Sequence, residues 1–305
     1  MPFRGRSPGF IRLVTTSCSA VHPADTHFDA ITHGWTEPMK RVLTLTYGII
    51  CYLIFLVVFS YSVPFIGGFG VPKTIDSGTE TGFWTAILIN TGLLGLFAIQ
   101  HSGMARTGFK EWWTGIVPES MERSTYVLFA SGALALVMWQ WRPLPATVWD
   151  VEAVWAQNAL WTSFGLGWLI VLGTTFIISH WHLFGLKQVH AHYKEEPLAE
   201  PRFQVRSLYQ YVRHPLYLGF LIAFWSTPHM SVGHLLFAGG ASGYIVIGAL
   251  LEERDLLARF GERYRRYRAR VPMLLPLAGR ARAASSQASS TRTGAPQTSA
   301  DPDTA

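Results

Sequence analysis

The sequence has few charged residues and only two cysteines, and both shortages restrict what the protein can be. Asp, Glu, Lys and Arg make up 14% of the 305 residues, against about 25% in ordinary soluble domains. Cys18 and Cys51 are too few for a disulfide framework or a cysteine-based metal site. Because aromatic residues reach 14%, with 12 tryptophans, the composition favours a multi-span membrane protein over a soluble globular core.

Histidine is plentiful, but its spacing does not indicate a metal site. His180 and His182 are two residues apart, as are His190 and His192. On a helix this spacing directs the two side chains to different faces. We therefore expect no bound metal.

Long uncharged stretches predict an all-α integral membrane protein with about six transmembrane helices. Asp, Glu, Lys and Arg are missing from residues 42–72, 81–105, 124–141, 153–186 and 214–251. A helix needs about 20 apolar residues to cross the hydrocarbon core, so each of the first four stretches predicts one span. The fifth is too long for one helix and is interrupted at residues 226–228 and at Gly233. It predicts two short helices joined in a tight hairpin.

The basic residues alternate between loops, and this alternation predicts the orientation. They cluster at residues 40–41, 106–123, 187–213 and 254–282, whereas the other loops carry only Lys73 and Arg142. By the positive-inside rule, both termini face the cytoplasm. The net charge of +6 therefore fits contact with membrane lipids, and nucleic acid is not an expected partner.

The two ends of the chain differ in composition from the middle. Residues 1–38 are polar without periodicity, so we expect a non-native or disordered leader, with Met39 as the natural start. Residues 39–276 form the predicted membrane domain. Residues 277–305 are rich in Ala, Ser and Thr and predict a disordered cytoplasmic tail.

The sequence RHPLYLG, which begins at Arg213, lies where a loop enters the last uncharged stretch. Pro215 suits the first turn of a helix, where its missing N–H costs nothing. Arg213 and His214 can hold a carboxylate, and the free N–H groups of a helix N-terminus also favour anions. Tyr217 lies on the same side of the helix as His214, and Gly219 would let another backbone or a flat ring approach.

Glu252 and Glu253 end the same uncharged stretch, on the side of the membrane predicted for Arg213. Adjacent carboxylates can bind a ribose diol or an ammonium group, so a ligand with a carboxylate, an ammonium and a ribose would suit the cleft between the two segments. Single Arg or Glu residues at span ends are commonly membrane anchors. The ordered set of residues is more specific than any one of them.

This ordered set resembles the signature of the membrane methyltransferases that include isoprenylcysteine carboxyl methyltransferase and phospholipid N-methyltransferase. The resemblance covers roughly residues 157–275. It implies that S-adenosylmethionine is the co-substrate and binds at the cytosolic face. By the same resemblance, the cofactor-binding residues are Arg213, His214, Tyr217, Gly219, Glu252 and Glu253.

A second resemblance, to the NnrU-like group and above all to its bacterial methanethiol S-methyltransferases, covers roughly residues 40–276. It rests on residues 100–106 (QHSGMAR), 118–126 (PESMERSTY), 183–188 (LFGLKQ), 209–215 (YQYVRHP) and 224–230 (FWSTPHM). It implies methylation of a small thiol, methanethiol to dimethyl sulfide, in a bacterial inner membrane. One departure is His182, where that group commonly carries an acidic residue.

The acceptor side needs a group that removes a proton, because the thiolate rather than the thiol is the nucleophile. His101 is a natural proton acceptor at the end of the second span. Glu122, Arg123 and His180 are the other catalytic candidates near it. For Glu122 and Arg123 an alternative is structural, since they can pair with each other or with Arg106 and hold the helices together.

Two further functions remain open from the sequence. The same enzyme class can act on a lipid amine or an isoprenylcysteine carboxylate, which would need a long lateral cleft rather than a small pocket. The chain can also be a non-enzymatic membrane accessory protein of the NnrU type. The sequence does not indicate an oligomeric partner.

Overall fold

The computed structural model describes residues 34–198 and 205–275, and their regular structure is almost entirely helical. The elements before the midpoint are α1 (Glu37–Gly67), α2 (Phe83–Ala105), α3 (Thr107–Trp113), α4 (Glu119–Gln140) and β1 (Thr147–Asp150). The remaining ones are α5 (Val154–Ile178), α6 (His180–Leu183), α7 (Leu186–Lys194), a 3₁₀ turn (Ser207–Gln210), α8 (Pro215–Trp225), β2 (His229–Ser231) and α9 (Val232–Arg270). This order confirms the predicted all-α membrane class.

The expectations for the two ends of the chain fall largely outside the described residues. Of the predicted leader, only residues 34–38 are described, and α1 already begins at Glu37. The predicted tail, residues 277–305, lies wholly outside them.

Within the described residues, four helices are long and apolar enough to cross a membrane: α1, α2, α5 and α9. The third predicted span corresponds to α4, which has 22 residues and a first turn that contains Glu119 and Glu122. Helix α8 has only 11 residues, about 16 Å at 1.5 Å per residue, which is shorter than the hydrocarbon core of about 30 Å. The count of six spans therefore stays a prediction.

The prediction of two short helices in the last hairpin is right for the first helix and wrong for the second. Its first helix, α8, is short and ends at Trp225, before Pro228. Its second helix, α9, is 39 residues long. Gly233 does not interrupt it but lies in its first turn, where the N–H of Gly233 donates to the Leu144 carbonyl at 3.0 Å. Ser231 caps this helix, accepting the N–H of His234 at 2.9 Å.

Two short strands, which the sequence patterns did not predict, pair and so satisfy backbone hydrogen-bonding groups between α8 and α9. β1 pairs antiparallel with β2, with Asp150 opposite His229. The side chain of Asn90 on α2 bonds both the N–H and the carbonyl of Arg142, at 2.8 and 2.7 Å. Extended backbone inside a membrane protein is tolerated where its polar groups are paired in this way. We call this the sheet end of the molecule.

Helices α5 and α8 pack so closely that their backbones touch. A Cβ added at Gly167 would lie 2.8 Å from the Gly219 carbonyl oxygen and 2.7 Å from the Ala223 nitrogen. A Cβ at Gly219 would lie 2.8 Å from the Gly167 carbonyl oxygen. Glycine is needed on both sides of this contact. The contact therefore fixes the position of α8 along α5, and with it the position of Arg213 and His214 just before α8.

Helix α9 bends at Gly261, whose φ of 51° and ψ of −126° are not helical. An L-residue with a side chain rarely adopts this positive φ. We call the chain after this bend, residues 262–275, the C-terminal arm. Its inner face includes Tyr264, which is buried, and Tyr267, whose hydroxyl donates to the Tyr209 carbonyl at 2.7 Å.

The close contact between α5 and α8 predicts a sharp difference between two neighbouring glycines. Gly167→Ala should destabilise the protein by about 1–3 kcal/mol, because the added methyl overpacks the α8 backbone. Gly165→Ala, two residues away, has open space within 4 Å and should be neutral or slightly stabilising. Thermal unfolding in detergent measures both, and equal melting temperatures for the two variants would contradict the packing described here.

Candidate active site

The loop before α8 delivers two polar residues to the start of that helix. Pro215 occupies the first helical position, and His214 is the N-cap residue with φ −125° and ψ 67°. The residue before a proline is disfavoured in the helical conformation, and the angles of His214 are accordingly not helical. The sequence-predicted meeting of this junction with Glu252 and Glu253 is present in the structure.

Arg213 and Glu253 form an ion pair that is nearly closed off from solvent. The Nε of Arg213 donates to Oε1 of Glu253 at 2.6 Å, and the two side chains are 8% and 3% exposed. His214 Nε2 lies 3.4 Å from the same oxygen. The predicted cofactor residues Arg213 and Glu253 thus form an ion pair that joins the start of α8 to α9, and their binding of a cofactor stays a prediction.

Glu252, by contrast, faces outward beside the same junction. Its side chain is 48% exposed, and the Tyr217 hydroxyl donates to its Oε2 at 3.0 Å. His214 Nδ1 lies 3.6 Å from that oxygen, and the rings of His214 and Tyr217 stack at 5.3 Å. We call Arg213, His214, Tyr217, Glu252 and Glu253 the clasp.

The C-terminal arm closes over the buried side of the clasp. Backbone N–H groups of Arg213 and His214 donate to the carbonyls of Pro272 and Met273, at 2.9 and 3.1 Å. The Arg213 side chain donates through Nη1 to the carbonyls of Arg268 and Val271. Arg268 Nε also approaches Oε2 of Glu253, at 3.3 Å. The arm thus supplies most of the partners that let Arg213 stay buried.

Tyr209 completes this closed side. Burial, and then the nearby charge of Glu252, raise the pKa of the Tyr209 hydroxyl, so that it stays protonated at neutral pH. A neutral phenol adds no second negative charge beside the carboxylates.

A second group of side chains surrounds His101 deeper in the bundle. The Tyr126 hydroxyl lies 3.0 Å from His101 Nε2 and 3.2 Å from Nδ1. Phe97 stacks on the His101 ring at 5.3 Å, and the Tyr244 ring meets it edge-on at 6.4 Å. Ser102 Oγ is 3.0 Å from the Tyr244 hydroxyl. We call Phe97, His101, Tyr126 and Tyr244 the aromatic cluster.

Helix α9 connects the aromatic cluster to the clasp. Tyr244 is eight residues before Glu252, about 12 Å along a helix axis. The two groups of residues therefore lie about two helical turns apart along α9, with the clasp at the bundle end and the cluster further in.

Arg123 lies beside the aromatic cluster, and Glu122 does not pair with it. The Nε of Arg123 donates to the Leu183 carbonyl at 2.9 Å, and its guanidinium lies 5.1 Å from the centre of the Tyr126 ring. Arg106 approaches Asp255 at 3.5 Å. Within residues 34–198 and 205–275, neither arginine forms an ion pair with Glu122. Arg123 thus holds helices together through its hydrogen bond to the Leu183 carbonyl, and not through a pair with Glu122.

His180 is placed differently from His101. Its Nε2 is 2.7 Å from the Tyr52 hydroxyl and its Nδ1 is 2.8 Å from Thr175 Oγ1. Phe176 stacks on its ring at 4.4 Å. With both nitrogens bonded and the side chain buried, this geometry suits a link between α1 and α5, and a catalytic role for His180 stays a prediction.

His182 occupies the position where an acid was expected. Burial lowers the pKa of His182, and the charges of Arg123 and Lys187 lower it further. The imidazole is therefore neutral at physiological pH. Arg123 has a neutral neighbour here in place of a carboxylate.

Gly219 lies against the α5 backbone rather than in the clasp, so its predicted role in cofactor binding stays a prediction. Among the described residues, no group of three or more His, Cys, Asp or Glu side chains could hold a metal ion.

Sequence reasoning missed Tyr126, Tyr244 and Arg268. Tyr126 ends the stretch PESMERSTY, so a sequence signal does mark it. Tyr244 and Arg268 carry no local signal, because their positions depend on how α9 packs and bends.

No protein-family model matches this chain, and no solved structure does. The chain is 54% identical over 238 residues to a methanethiol S-methyltransferase of Mycobacterium tuberculosis, covering 78% of this chain and 98% of that protein. It is 49% identical over 242 residues to one from Crocosphaera subtropica, covering 79% and 95%. More distantly, it is 32% identical over 173 residues to nurim of Bos taurus, covering 54% and 66%.

The buried ion pair predicts that Glu253 matters for stability and not only for binding. Glu253→Ala should destabilise the protein by about 3–5 kcal/mol, because it leaves Arg213 buried without its partner. Asp255→Ala is the matched control, since that side chain is 70% exposed and close in sequence. Thermal unfolding and the rate of tryptic cleavage in the C-terminal arm check both variants. An arm that is equally resistant in the two would show that the pair is not what fastens it.

Proposed function

Because this chain belongs to the methanethiol S-methyltransferase family, we propose that it transfers a methyl group from S-adenosylmethionine to methanethiol and releases dimethyl sulfide. The observation that supports this most is the adjacency of an outward-facing charged clasp and a deeper cluster around His101. The first suits a charged nucleoside donor, and the second suits a small thiol.

The clasp has the chemistry that S-adenosylmethionine requires. Glu252 is half exposed and carries a carboxylate that can accept from a ribose diol or from an ammonium group. The first turn of α8 offers backbone N–H groups without intrahelical partners, which favour a carboxylate. His214, Tyr217 and Glu252 would hold the co-substrate, while Arg213 and Glu253 keep these residues in place.

The sulfonium of the co-substrate supplies an activated methyl group, which a thiolate takes by direct displacement. What remains for the protein is to position the acceptor in line and to remove its proton. His101 can accept that proton, and the guanidinium of Arg123, beside Tyr126, favours a neighbouring thiolate. For Glu122 we propose only an indirect role, as the residue next to Arg123 in the first turn of α4.

The location of the clasp suits a water-soluble methyl donor, and that of the aromatic cluster suits an acceptor that dissolves in lipid. We place the protein in the bacterial inner membrane with both termini in the cytoplasm, as the loop charges predict. The clasp then opens to the cytoplasm, where S-adenosylmethionine is made. The aromatic cluster lies at membrane depth, where a small apolar thiol partitions.

The proposal is tested by product analysis. Purified protein in detergent, given methyl-labelled S-adenosylmethionine and methanethiol, should release labelled dimethyl sulfide, detected by gas chromatography. Phosphatidylethanolamine and a farnesylated cysteine should receive no label. Label in either lipid acceptor instead of the thiol, or no binding of S-adenosylmethionine by calorimetry, would refute this function.

Glu252→Gln should weaken S-adenosylmethionine binding by about 10- to 100-fold, the value of a charge-assisted hydrogen bond of about 1.5–3 kcal/mol. Its melting temperature should change little, since the side chain is half exposed. Asp255→Asn, three residues further along α9, is the control and should bind normally. Calorimetry measures both, and equal affinities would exclude Glu252 from the binding edge.

His101→Ala should lower kcat for methanethiol by about 10²- to 10⁴-fold, the usual contribution of a general base. The loss should shrink at high pH, where more of the thiol is already ionised. Affinity for S-adenosylmethionine should not change. If the variant loses that affinity while its kcat is retained, His101 belongs to the donor side and not to the acceptor side.

A further inference from the structure

His101 is held on three sides by aromatic residues from three helices. Phe97, one turn earlier on α2, stacks on one face of its ring with an interplanar angle of 15°. Tyr244 on α9 meets it edge-on, and Tyr126 on α4 contributes a hydroxyl within hydrogen-bond distance of both ring nitrogens. Of these neighbours, Tyr126 is the one that bonds to the atoms that would carry the proton.

The Tyr126 hydroxyl suits a histidine that changes its protonation state. A neutral imidazole has one donor and one acceptor nitrogen, whereas a protonated imidazole has two donors. A tyrosine hydroxyl can both donate and accept. It therefore keeps a hydrogen bond to the ring before and after His101 takes a proton, which a pure donor such as a backbone N–H could not do.

Tyr126 is itself fixed in position. Its side chain is 8% exposed, and the Arg123 guanidinium lies over its ring. The preceding residue is also anchored, because Thr125 Oγ1 lies 2.9 Å from the Tyr47 hydroxyl on α1. A rigid hydroxyl that bonds both forms of the ring would orient it for proton transfer.

Resting on the proposed function, we infer that Tyr126 is a positioning residue for the thiol base: its hydroxyl holds the His101 ring while the thiol proton moves onto it. In the step, the S–H bond breaks and its proton goes to a ring nitrogen of His101. The thiolate sulfur forms a bond to the methyl carbon, and the bond from that carbon to the sulfonium breaks, with its electron pair left on S-adenosylhomocysteine. The proton then leaves His101 for water.

The test compares Tyr126→Phe with Tyr47→Phe. Each variant removes one hydroxyl from a part-buried hydrogen bond that involves α4, at Thr125 for Tyr47 and at Tyr126 itself, but only the first removes a partner of His101. Each is assayed for kcat and KM with methanethiol and with the more acidic trifluoroethanethiol, whose proton is largely lost without help. Thermal unfolding in detergent reports the stability of both variants.

Tyr126→Phe should lower kcat for methanethiol by about 10- to 100-fold, as loss of an orienting partner usually does. The loss with trifluoroethanethiol should be several times smaller, and KM for S-adenosylmethionine should be unchanged. Tyr47→Phe should leave both rates within about twofold, since it contacts no reacting group. Equal losses with the two thiols, or the same loss in Tyr47→Phe, would mean that Tyr126 only packs.

A double variant separates positioning from stability. If Tyr126 acts through His101, Tyr126→Phe should cause no further loss of kcat in a His101→Ala background, because the two effects are not additive. A full additional loss there would overturn the inference. A wild-type protein that methylates no thiol would overturn the proposed function along with it. A wild type that makes dimethyl sulfide at the same rate as Tyr126→Phe would overturn this inference alone.

Discussion

The ion pair between Arg213 and Glu253 is the interaction on which the rest of the site depends. Two opposite charges with so little exposure are tolerated only when they are paired. Here the arginine bonds a carboxylate and two carbonyls, and the second oxygen of Glu253 has Arg268 Nε at 3.3 Å. The pair joins the start of α8 to the middle of α9. Because His214 directly follows Arg213 and Glu252 directly precedes Glu253, the pair also determines where these two residues lie.

This arrangement gives Glu252 and Glu253 different environments, although the sequence shows two identical adjacent residues. Glu253 is buried in an ion pair with Arg213, whereas Glu252 is half exposed and accepts a hydrogen bond from Tyr217. The division follows from helix geometry, since adjacent residues on a helix lie about 100° apart around its axis. One can then face the protein while the next faces the cleft. The two histidines differ in another way, since His101 bonds the single hydroxyl of Tyr126 whereas the two nitrogens of His180 bond two different hydroxyls.

The features predictable from the sequence were those that one stretch of chain encodes. The uncharged runs locate α1, α2, α4, α5 and the final hairpin, and the hairpin brings its two polar ends together. Features that depend on packing between distant segments were not predictable. The pairing of β1 with β2, the aromatic contacts of Tyr244 and the bend at Gly261 each require a partner 60 or more residues away or a conformation that glycine alone permits. Gly233 shows the limit of local rules, because a residue that usually breaks helices lies here in the first turn of the longest one.

The hydrogen bonds from Arg213 and His214 to Pro272 and Met273 also determine when the site can exist. A polypeptide is made from its N-terminus, and its helices enter the membrane in that order. The early spans can be in place while the ribosome is still translating the arm. The N–H groups of the α8 junction acquire their acceptors only after the last residues of the domain have emerged. A nascent chain of this protein therefore completes the clasp only after Met273 has been translated.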